Sequence, residues 1–369
     1  TLTLTNPAFK SHRQGEEGFD GGADAERTFV FDKVYWSYAA SEDDYAGQEM
    51  VFDELGSQFL DAAFAGYNSS VFAYGQTGSG KTYSMMGMAD DPGLIPRTCA
   101  EIFARAEAGL ADGSLTKYSV EVSYLEIYME SIKDLLNPGG GAGGGRGKGP
   151  GGALVVREHA RFGVFVPGLE KLVAASSDDV VHFLELGSKE RTVAATKMNN
   201  SSSRSHAVFT VYLTTEAPAG EGGTATLRAK MNLVDLAGSE NQNNTGAKGT
   251  RLKEACAINK SLSALGNVIS ALTSKSRSKR HIPYRDSVLT RLLQESLGGN
   301  AKAIMLVAIS PASSNYAQTY STLSFAERAK KIVNSVSRNK TSNQDMVKAL
   351  KAEVERLKTL LEAGGETTR

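Results

Sequence analysis

The sequence of 369 residues has only two cysteines, no long apolar run and a formal net charge of +0. Cys99 and Cys256 lie far apart and match no metal-ligand spacing, which excludes a cysteine-based metal site. We expect both to be reduced, partly buried side chains in a cytosolic protein. The longest aliphatic run, Ile304–Ile309, is far too short to span a bilayer, and the N-terminus is polar. We therefore expect neither a membrane segment nor a signal peptide.

The absence of net charge conceals an uneven distribution of charged side chains. Residues 1–60 carry 12 acidic and 4 basic side chains, a balance of −8, whereas residues 246–295 carry 10 Lys or Arg against 3 Asp or Glu, a balance of +7. A basic surface of this size attracts a polyanion, which can be nucleic acid or an acidic protein lattice. A solvated basic face without a partner is the alternative, and the charge balance alone favours it.

Apolar stretches recur along the chain, and helix-like segments separate them. The expected strands are Ser70–Tyr74, Tyr118–Ile127, Val208–Thr214, Met231–Asp235 and Ala303–Ser310. The expected amphipathic helices are Gly47–Ala65, Ile95–Glu107, Ser177–Lys189 and Leu252–Leu272. Strands that alternate with helices indicate an α/β fold around one sheet. A turn signal at 220–223 favours antiparallel pairing of the strands on either side of it, which would make the sheet mixed.

The most specific motif follows the first of these strands and reads Gly75-x-x-x-x-Gly80-Lys81-Thr82. Its glycines let backbone N–H groups surround phosphate oxygens, Lys81 can reach the β- and γ-phosphates, and the Thr82 hydroxyl can ligate Mg²⁺. An ordinary glycine turn is the alternative. The strand before the motif and the helix-compatible residues after it favour a nucleotide-binding loop.

Three further segments carry polar chemistry. Asp235 ends an apolar strand, where it can hold Mg²⁺ through water, and Gly238 can bring its N–H against a γ-phosphate. The segment 199–206, with clustered serines and Arg204, suits a loop that closes over the γ-phosphate, although alone it reads as a polar loop. The third is the helix Leu252–Leu272, which leads into a basic segment, 275–285.

Two other segments differ in composition from the rest. The glycine-rich residues 138–152 predict a flexible surface insertion within one domain, because strand-like sequence resumes at Ala153–Glu158. Near the C-terminus, Val347, Leu350, Val354, Leu357 and Leu361 have heptad spacing. This pattern covers barely two heptads, so it fits either a marginal coiled coil or a single helix docked on the domain.

Taken together, these segments resemble the kinesin motor domain. The matching segments, in the order of the family, are 72–82, 199–206, 234–240, 258–262, 282–290 and 296–300. Segments 191–196 and 245–254 are most similar to the kinesin-three, vesicle-carrying class. The resemblance implies a kinesin-type P-loop fold with a mixed sheet of about eight strands and three helices on each side. It also implies a motor domain over 1–331, a neck linker over 332–343 and a neck helix or short coiled coil over 344–362.

The resemblance implies a microtubule-stimulated ATPase that moves toward the plus end and binds ATP or ADP with Mg²⁺. The implied nucleotide-binding residues are Gly75, Gln76, Thr77, Gly78, Ser79, Gly80, Lys81, Thr82 and Tyr83. Tyr83 would stack on adenine, although an ordinary core aromatic is the alternative. Thr82, Ser203 and, through water, Asp235 would hold Mg²⁺. Ser202 would contact the lytic water, Gly238 would sense the γ-phosphate, and Arg204 and Glu240 would form a salt bridge that relays a proton.

The resemblance implies that the basic surface binds a microtubule. The affinity of this binding should fall as the salt concentration rises. The implied microtubule-binding residues are Lys248, Arg251, Lys253, Lys260, Lys275, Arg277, Lys279, Arg280 and Arg285. Movement of Gly238 would shift the helix 252–272 and uncover a docking groove for Ile332–Asn339. Cargo or an adaptor would bind outside this chain, which would be a monomer or a weak dimer through its neck helix. The expected location is the microtubule cytoskeleton of the cytoplasm, without nucleic-acid binding or membrane insertion.

The sequence also departs from the family pattern. No Arg-x-Arg-Pro segment occurs in Thr1–Lys10. By comparison with the family pattern, we expect this chain to lack the first strand of the sheet and to have only half of the base-binding residues. Asn241 stands where Arg is common, and Ala255 replaces a glycine. Two rival functions remain open: a nucleotide-insensitive microtubule tether, which would be expected to have lost a catalytic residue, and another P-loop enzyme such as a GTPase. The guanine-specificity motif Asn-Lys-x-Asp is absent.

Overall fold

The computed structural model describes residues 1–7, 26–138, 153–159, 163–198, 201–219, 223–240, 250–274, 281–342 and 354–355. Several expectations lie outside these residues. They are nearly all of the glycine-rich segment 138–152, the predicted neck helix 344–362 apart from two residues, and the basic residues Lys248, Lys275, Arg277, Lys279 and Arg280.

A mixed sheet of eight strands forms the centre of the fold. The strands in chain order are β1 (Leu2–Thr5), β2 (Glu26–Phe29), β3 (Ser69–Gly75), β4 (Lys117–Tyr128), β5 (Ser131–Asp134), β6 (Arg157–His159), β7 (Gly163–Phe165), β8 (Leu172–Ala174), β9 (His206–Ala219), β10 (Gly223–Asp235), β11 (Lys302–Ala308) and β12 (Lys340–Ser342). The central order is β11–β3–β10–β9–β4–β5, with β12 paired to β10 and β8 paired to β4. Two further pairs, β1–β2 and β6–β7, lie outside this sheet.

The pairing of the strands follows from their sequences. β3 is buried along its whole length and pairs in parallel with both β10 and β11, as expected for an apolar strand covered on both faces. β9 and β10 pair antiparallel from Gly223 opposite Ala219 to Asp235 opposite Ala207. The sheet is therefore mixed, as the turn signal between these two strands predicted.

Helices cover both faces of the sheet. They are α1 (Gln48–Val51), α2 (Ser57–Phe64), α3 (Lys81–Met86), α4 (Leu94–Ala111), α5 (Ser177–Met198), α6 (Thr250–Thr273), α7 (Val288–Leu292) and α8 (Tyr316–Ala329). Apolar residues of α2, α4 and α5 form one core with the first face, and those of α6, α7 and α8 form a second core with the other face. The predicted α/β fold, a mixed sheet of about eight strands flanked by helices, is confirmed.

The expected single helix Gly47–Ala65 contains an interruption. A π-helical turn, Phe52–Gly56, separates α1 from α2. A Cβ at Gly56 would lie 2.5 Å from the Phe52 ring, so the packing of this turn depends on the glycine. The apolar spacing predicted the helix correctly, but periodicity alone does not reveal one extra residue in a turn.

The β1–β2 pair packs against α8 rather than joining the main sheet. The Arg27 guanidinium lies 4.9 Å from the centre of the Phe29 ring and 5.1 Å from that of Tyr320, and it forms an ion pair of 3.4 Å with Glu327. Within the described ranges, β11 pairs with no strand other than β3. No helix among the described residues is long and apolar enough to cross a membrane.

Candidate active site

The loop after β3 has the backbone geometry that a phosphate-binding loop requires. Gly78 and Gly80 have φ values of 79° and 101°, and a Cβ at Gly75 would lie 2.0 Å from the Ala308 carbonyl oxygen. Gly80 is the N-terminal cap of α3, whose first N–H groups therefore face the loop. Ser79 Oγ donates to Gln76 O at 2.8 Å and closes the turn. The glycines of the motif are thus required by the backbone, not merely permitted.

Lys81 and Thr82 begin α3 and reach back toward the ends of the strands. Lys81 is buried, and its Nζ donates to Gln76 O at 2.8 Å. Burial lowers the pKa of Lys81, while Asp235 and Glu240 act in the opposite direction. Thr82 Oγ1 donates to Asp235 Oδ2 at 2.7 Å. The two motifs expected to share a site, separated by more than 150 residues, are therefore in direct contact.

Asp235 has the features of a carboxylate that binds a cation. It is 6% exposed, and burial raises its pKa, whereas nearby Arg191 opposes the rise. In the described part of the chain, Asp235 Oδ1 has no hydrogen-bond partner, and no group of three or more His, Cys, Asp or Glu side chains could hold a metal. A carboxylate next to a threonine hydroxyl suits Mg²⁺, which keeps several waters and needs few protein ligands. The residues present fit this ion.

A second polar group beside Asp235 was not singled out from the sequence. Arg191 of α5 is 8% exposed, and its guanidinium lies 3.5 Å from Glu126 Oε1 and 3.9 Å from Asp235 Oδ2. Ser205 Oγ donates to the same Glu126 oxygen at 2.6 Å. In the sequence, Arg191 appears only as the first residue of the segment 191–196, beyond the expected helix Ser177–Lys189. We infer that this cluster fixes the orientation of Asp235.

The two loops expected to respond to the γ-phosphate touch each other through their backbones. The Gly238 N–H donates to Ser203 O at 2.9 Å, and the Ser239 N–H donates to Gly75 O at 3.0 Å. A Cβ at Gly238 would lie 2.3 Å from Thr77 Oγ1 and 2.4 Å from Glu240 Oε2. Position 238 therefore has no room for a side chain in this arrangement.

The remaining candidate catalytic residues lie around the same contact. Glu240 accepts hydrogen bonds from the Thr77 N–H at 2.8 Å and from the Thr77 hydroxyl. Ser202, Ser203 and Arg204 belong to a 3-10 turn, Ser201–Arg204, directly before β9. The structure thus brings the loop 236–240, the turn 201–204 and the phosphate loop together. The expected pairing of Arg204 with Glu240 stays a prediction.

His206 connects this contact to the long helix α6, a role that the sequence did not suggest. It is 2% exposed; its Nδ1 accepts from the Ala237 N–H at 3.0 Å, and its Nε2 lies 2.8 Å from Ser261 Oγ. Because Nδ1 is an acceptor, the proton is on Nε2, which donates to Ser261. Burial, with help from Arg191 and Lys81, lowers the pKa of His206 to about 3. A neutral histidine thus joins the two loops to α6.

Tyr83 is positioned at the surface and not in the core. It is 39% exposed, its hydroxyl donates to Asp91 Oδ2 at 2.8 Å, and its carbonyl accepts from Gln48 Nε2 at 2.7 Å. The alternative of an ordinary core aromatic is therefore wrong. An exposed ring at the start of α3 leaves stacking on a base possible.

Four of the nine basic residues assigned to a microtubule surface lie within the described chain. Arg251 and Lys253 belong to α6, Arg285 is exposed in the 3-10 turn Tyr284–Asp286, and Lys260 is exposed on α6. Lys260 Nζ lies 3.7 Å from Glu130 Oε2, and the same carboxylate oxygen accepts from the Val288 N–H at 3.1 Å. One acidic side chain therefore links α6 to the start of α7.

The segment after α8 passes the amino ends of β11 and β3 and ends as β12. The Asn334 side chain accepts from the Gly298 N–H at 2.7 Å and donates to Ser296 O at 3.0 Å and to Ala301 O at 2.6 Å. Further on, the Asn339 N–H donates to Gly66 O at 2.7 Å, and β12 pairs antiparallel with β10. This extended segment, 332–342, is bound to the domain along most of its length.

A family model described as the kinesin motor domain matches residues 4–332. Three relatives are Kinesin-like protein unc-104 of Caenorhabditis elegans, 48% identical over 92% of this chain, KIF13B of Homo sapiens, 49% over 91%, and KIF1A of Rattus norvegicus, 47% over 99%. The chain spans only 21%, 18% and 21% of the length of these relatives.

Two known structures are also similar. A KIF14 dimer in a two-heads-bound state with AMP-PNP, in complex with a microtubule, gives a TM-score of 0.76 at 43% identity, covering 91% of this chain and 87% of that one. A fast kinesin, described for its ATPase mechanism and its interactions with microtubules, gives 0.70 at 44% identity, covering 80% of this chain and 79% of that one. Both similarities extend over most of the described fold.

Proposed function

This chain belongs to the kinesin motor domain family, and from that premise we propose that it is a motor ATPase that hydrolyses ATP to move along microtubules toward their plus ends. The resemblance to the kinesin-three class is confirmed by the relatives. Kinesins are microtubule-stimulated ATPases. Membership of this family therefore confirms the expected enzyme class, an ATP hydrolase. The direction of movement and the roles of individual residues are our proposals.

One observation carries the proposal: hydrogen bonds connect the phosphate-binding loop to α6, the helix that we expect to contact the microtubule. Ser239 N–H bonds to Gly75 O of the loop, Ala237 N–H bonds to His206, and His206 bonds to Ser261 of α6. A displacement of residues 237–239 therefore changes contacts at both the phosphate loop and α6. A plain nucleotide-binding domain has no need of this second connection.

Hydrolysis in this site would depend on positioning and charge stabilisation rather than on covalent catalysis. The loop from Gly75 to Gly80 would bind the phosphates of ATP or ADP, with Lys81 next to the β- and γ-phosphates and Tyr83 against the base. Thr82, Ser203 and, through water, Asp235 would hold Mg²⁺, which when bound neutralises phosphate charge. Ser202 would orient the attacking water. Its proton would pass to Glu240, which Arg204 would hold in place.

The response to phosphate would begin at Gly238, because its N–H already bonds to Ser203 O in the neighbouring loop. A γ-phosphate would compete with Ser203 O for this N–H and, through Ala237 and His206, alter the position of α6. The affinity of the basic residues on and after α6 for acidic tubulin would then change with the position of this helix. Since exposed charges are screened within about 8–10 Å near physiological ionic strength, this affinity would fall with salt.

The segment 332–343 would act as a neck linker on a motor domain that spans 1–331. The hydrogen bonds of Asn334 and the pairing of β12 with β10 support a docked position for it. A neck helix over 344–362 would follow, giving a monomer or a weak dimer, and cargo or an adaptor would bind through regions outside this chain. Such a protein would work on microtubules in the cytoplasm.

ATP turnover with and without polymerised tubulin tests the proposal. We expect stimulation by microtubules, ATP-dependent release, and a Glu240→Ala variant that binds ATP but hydrolyses it about a hundredfold more slowly. Glu101→Ala is the matched control, because Glu101 is a surface carboxylate on α4 paired with Arg105. Microtubule binding that is equally tight with ATP, with ADP and without nucleotide would support the tether function instead.

A further inference from the structure

A row of buried polar side chains crosses the central sheet away from the nucleotide. Asn232 of β10 lies directly opposite Thr210 of β9 and Ser70 of β3 in the strand register. Thr210 Oγ1 donates to Asn232 Oδ1 at 3.1 Å, and Asn232 Nδ2 donates to Ser70 Oγ at 3.2 Å. Thr210 is 4% exposed, Asn232 is 7% exposed and Ser70 is 0% exposed. They are therefore joined inside the protein, and none of them belongs to the nucleotide site.

The row continues to the residues that bind the neck-linker segment. Ser70 Oγ lies 2.7 Å from Ser296 Oγ, and Ser296 is 1% exposed. The carbonyl of the same Ser296 accepts from Asn334 Nδ2 at 3.0 Å. The other two partners of the Asn334 side chain, Gly298 N and Ala301 O, belong to the same loop, 296–301. Hydrogen bonds, joined through the covalent structure of Ser296, thus connect β9 to Asn334.

Polar side chains are unexpected at these positions, because the surrounding face of the sheet is apolar. Phe72 and Val234 follow Ser70 and Asn232 on the same face of their strands, and both pack in the core under α6 and α8. An apolar residue at these positions would avoid the cost of burying hydrogen-bonding groups. A satisfied polar network instead fixes one arrangement of its members, since hydrogen bonds are directional and apolar contacts are not.

We propose that Asn232 and Ser70 are positioning residues for the neck linker. They hold Ser296 in place, and thereby present the loop 296–301 in the conformation that receives Asn334. This inference rests on the proposed function only in that it treats the segment 332–342 as the moving neck linker. Asn232 and Ser70 stabilise the docked position through Ser296 and its loop, because the hydrogen bond to the segment is made by Ser296 and not by these two residues.

Ser69 provides a matched control for this proposal. It precedes Ser70 on β3 and is 1% exposed, but within the described ranges its Oγ has no hydrogen-bond partner. Ser69→Ala and Ser70→Ala therefore remove the same atom from the same strand at the same depth. Only the second removes a link in the row.

Hydrogen exchange of the backbone amides tests the proposal, because docking protects defined N–H groups. These include Ser335 N–H on Gly299 O, Asn339 N–H on Gly66 O and Arg228 N–H on Asn339 O. For Ser70→Ala, we expect exchange of these amides to rise about three- to tenfold, as for the loss of one or two hydrogen bonds. Amides of α4 should not change. For Ser69→Ala, no change is expected in either place.

A double-mutant cycle with Asn334→Ala separates positioning from a general loss of stability. Asn334→Ala removes the group that the loop receives, so adding Ser70→Ala should raise the exchange of the segment by less than about twofold further. Ser296→Ala, which keeps the accepting carbonyl, should behave like Ser70→Ala. Equal effects of Ser69→Ala and Ser70→Ala, or full effects of Ser70→Ala in the Asn334→Ala background, would overturn the proposal.

This readout does not depend on motor activity. A chain without microtubule-stimulated turnover, but with the expected exchange pattern, would refute the proposed function and leave the positioning role intact. Normal turnover with no difference between the two serine variants would refute the positioning role alone.

Discussion

The two ends of strand β3 are both surrounded by polar groups, but the groups are organised in different ways. At its carboxyl end, the loop 75–82, the turn 201–204 and the loop 236–240 meet in one contact. At its amino end, about 16 Å away along the strand, single polar side chains from several strands form a line that ends at Asn334. The first arrangement concentrates function on a few groups, and the second distributes it over many weak bonds.

The comparison predicts that single changes at the nucleotide end have large effects. Gly238→Ala should have the largest, because its Cβ would lie 2.3 Å from Thr77 Oγ1 and the backbone contact with Ser203 would be lost. We expect microtubule-stimulated ATP turnover to fall about a hundredfold or more, with nucleotide binding retained. Steady-state turnover and binding of a fluorescent nucleotide measure the two quantities separately.

Gly266→Ala is the control for this prediction. Gly266 lies within α6, and the nearest atom to its Cβ would be 3.9 Å away, on the Phe325 ring. Alanine should fit there and favour the helix by up to about 1 kcal/mol. If Gly238→Ala turned over ATP as fast as Gly266→Ala, the nucleotide end would not be the concentrated site described above.

The same contrast explains how much the sequence could predict. Residues of the nucleotide end occur in short contiguous motifs. Two of them directly follow an apolar strand, and the turn 201–204 directly precedes one. The rule that ligands bind at the carboxyl ends of parallel strands then places Thr82 and Asp235 together. The roles of Arg191 and His206 were missed because their segments, 191–196 and 199–206, were noted for other reasons, and the partners of both side chains come from distant elements.

Residues of the opposite end could not be combined from the sequence. Ser70, Asn232 and Thr210 lie inside strands that were predicted correctly, but one sequence does not give the register between strands. A shift of one residue would turn each side chain to the other face and break the row. The elements were therefore predictable, whereas the pairing that gives these residues a shared role had to be observed.

His206 predicts a smaller effect that depends on pH. Its pKa in the folded protein, about 3, lies below the ordinary value of 6.5. Between these values the unfolded chain binds a proton that the folded protein does not, so the stability from neutral His206 is complete above pH 6.5 and is lost as pH falls toward 3. The expected slope reaches about 1.4 kcal/mol per pH unit.

His206→Asn tests this in urea unfolding at pH 7 and pH 5. At pH 7 we expect a loss of about 1–3 kcal/mol, because the buried Ala237 N–H loses its acceptor. At pH 5 the difference from the parent protein should be smaller, since the parent now carries the cost of keeping His206 neutral. His182 lies on the exposed side of α5, so His182→Asn is the control. It should leave the free energy of unfolding unchanged at both pH values. A difference independent of pH would show that His206 contributes through packing alone.

The smallest effect is expected at the amino end of β3, where one bond among many is removed. Asn300 Oδ1 accepts from the Ser337 N–H at 2.6 Å, and this bond lies near the surface. Asn300→Ala should favour release of the segment 332–342 by about 0.5–1 kcal/mol, which raises its amide exchange about two- to fivefold. Asn334→Ala, which removes three bonds, should raise it more, and the two effects should nearly add if the bonds are independent. Complete loss of protection in Asn300→Ala would instead mean that docking is all-or-none, and the distinction between a concentrated end and a distributed end would fail.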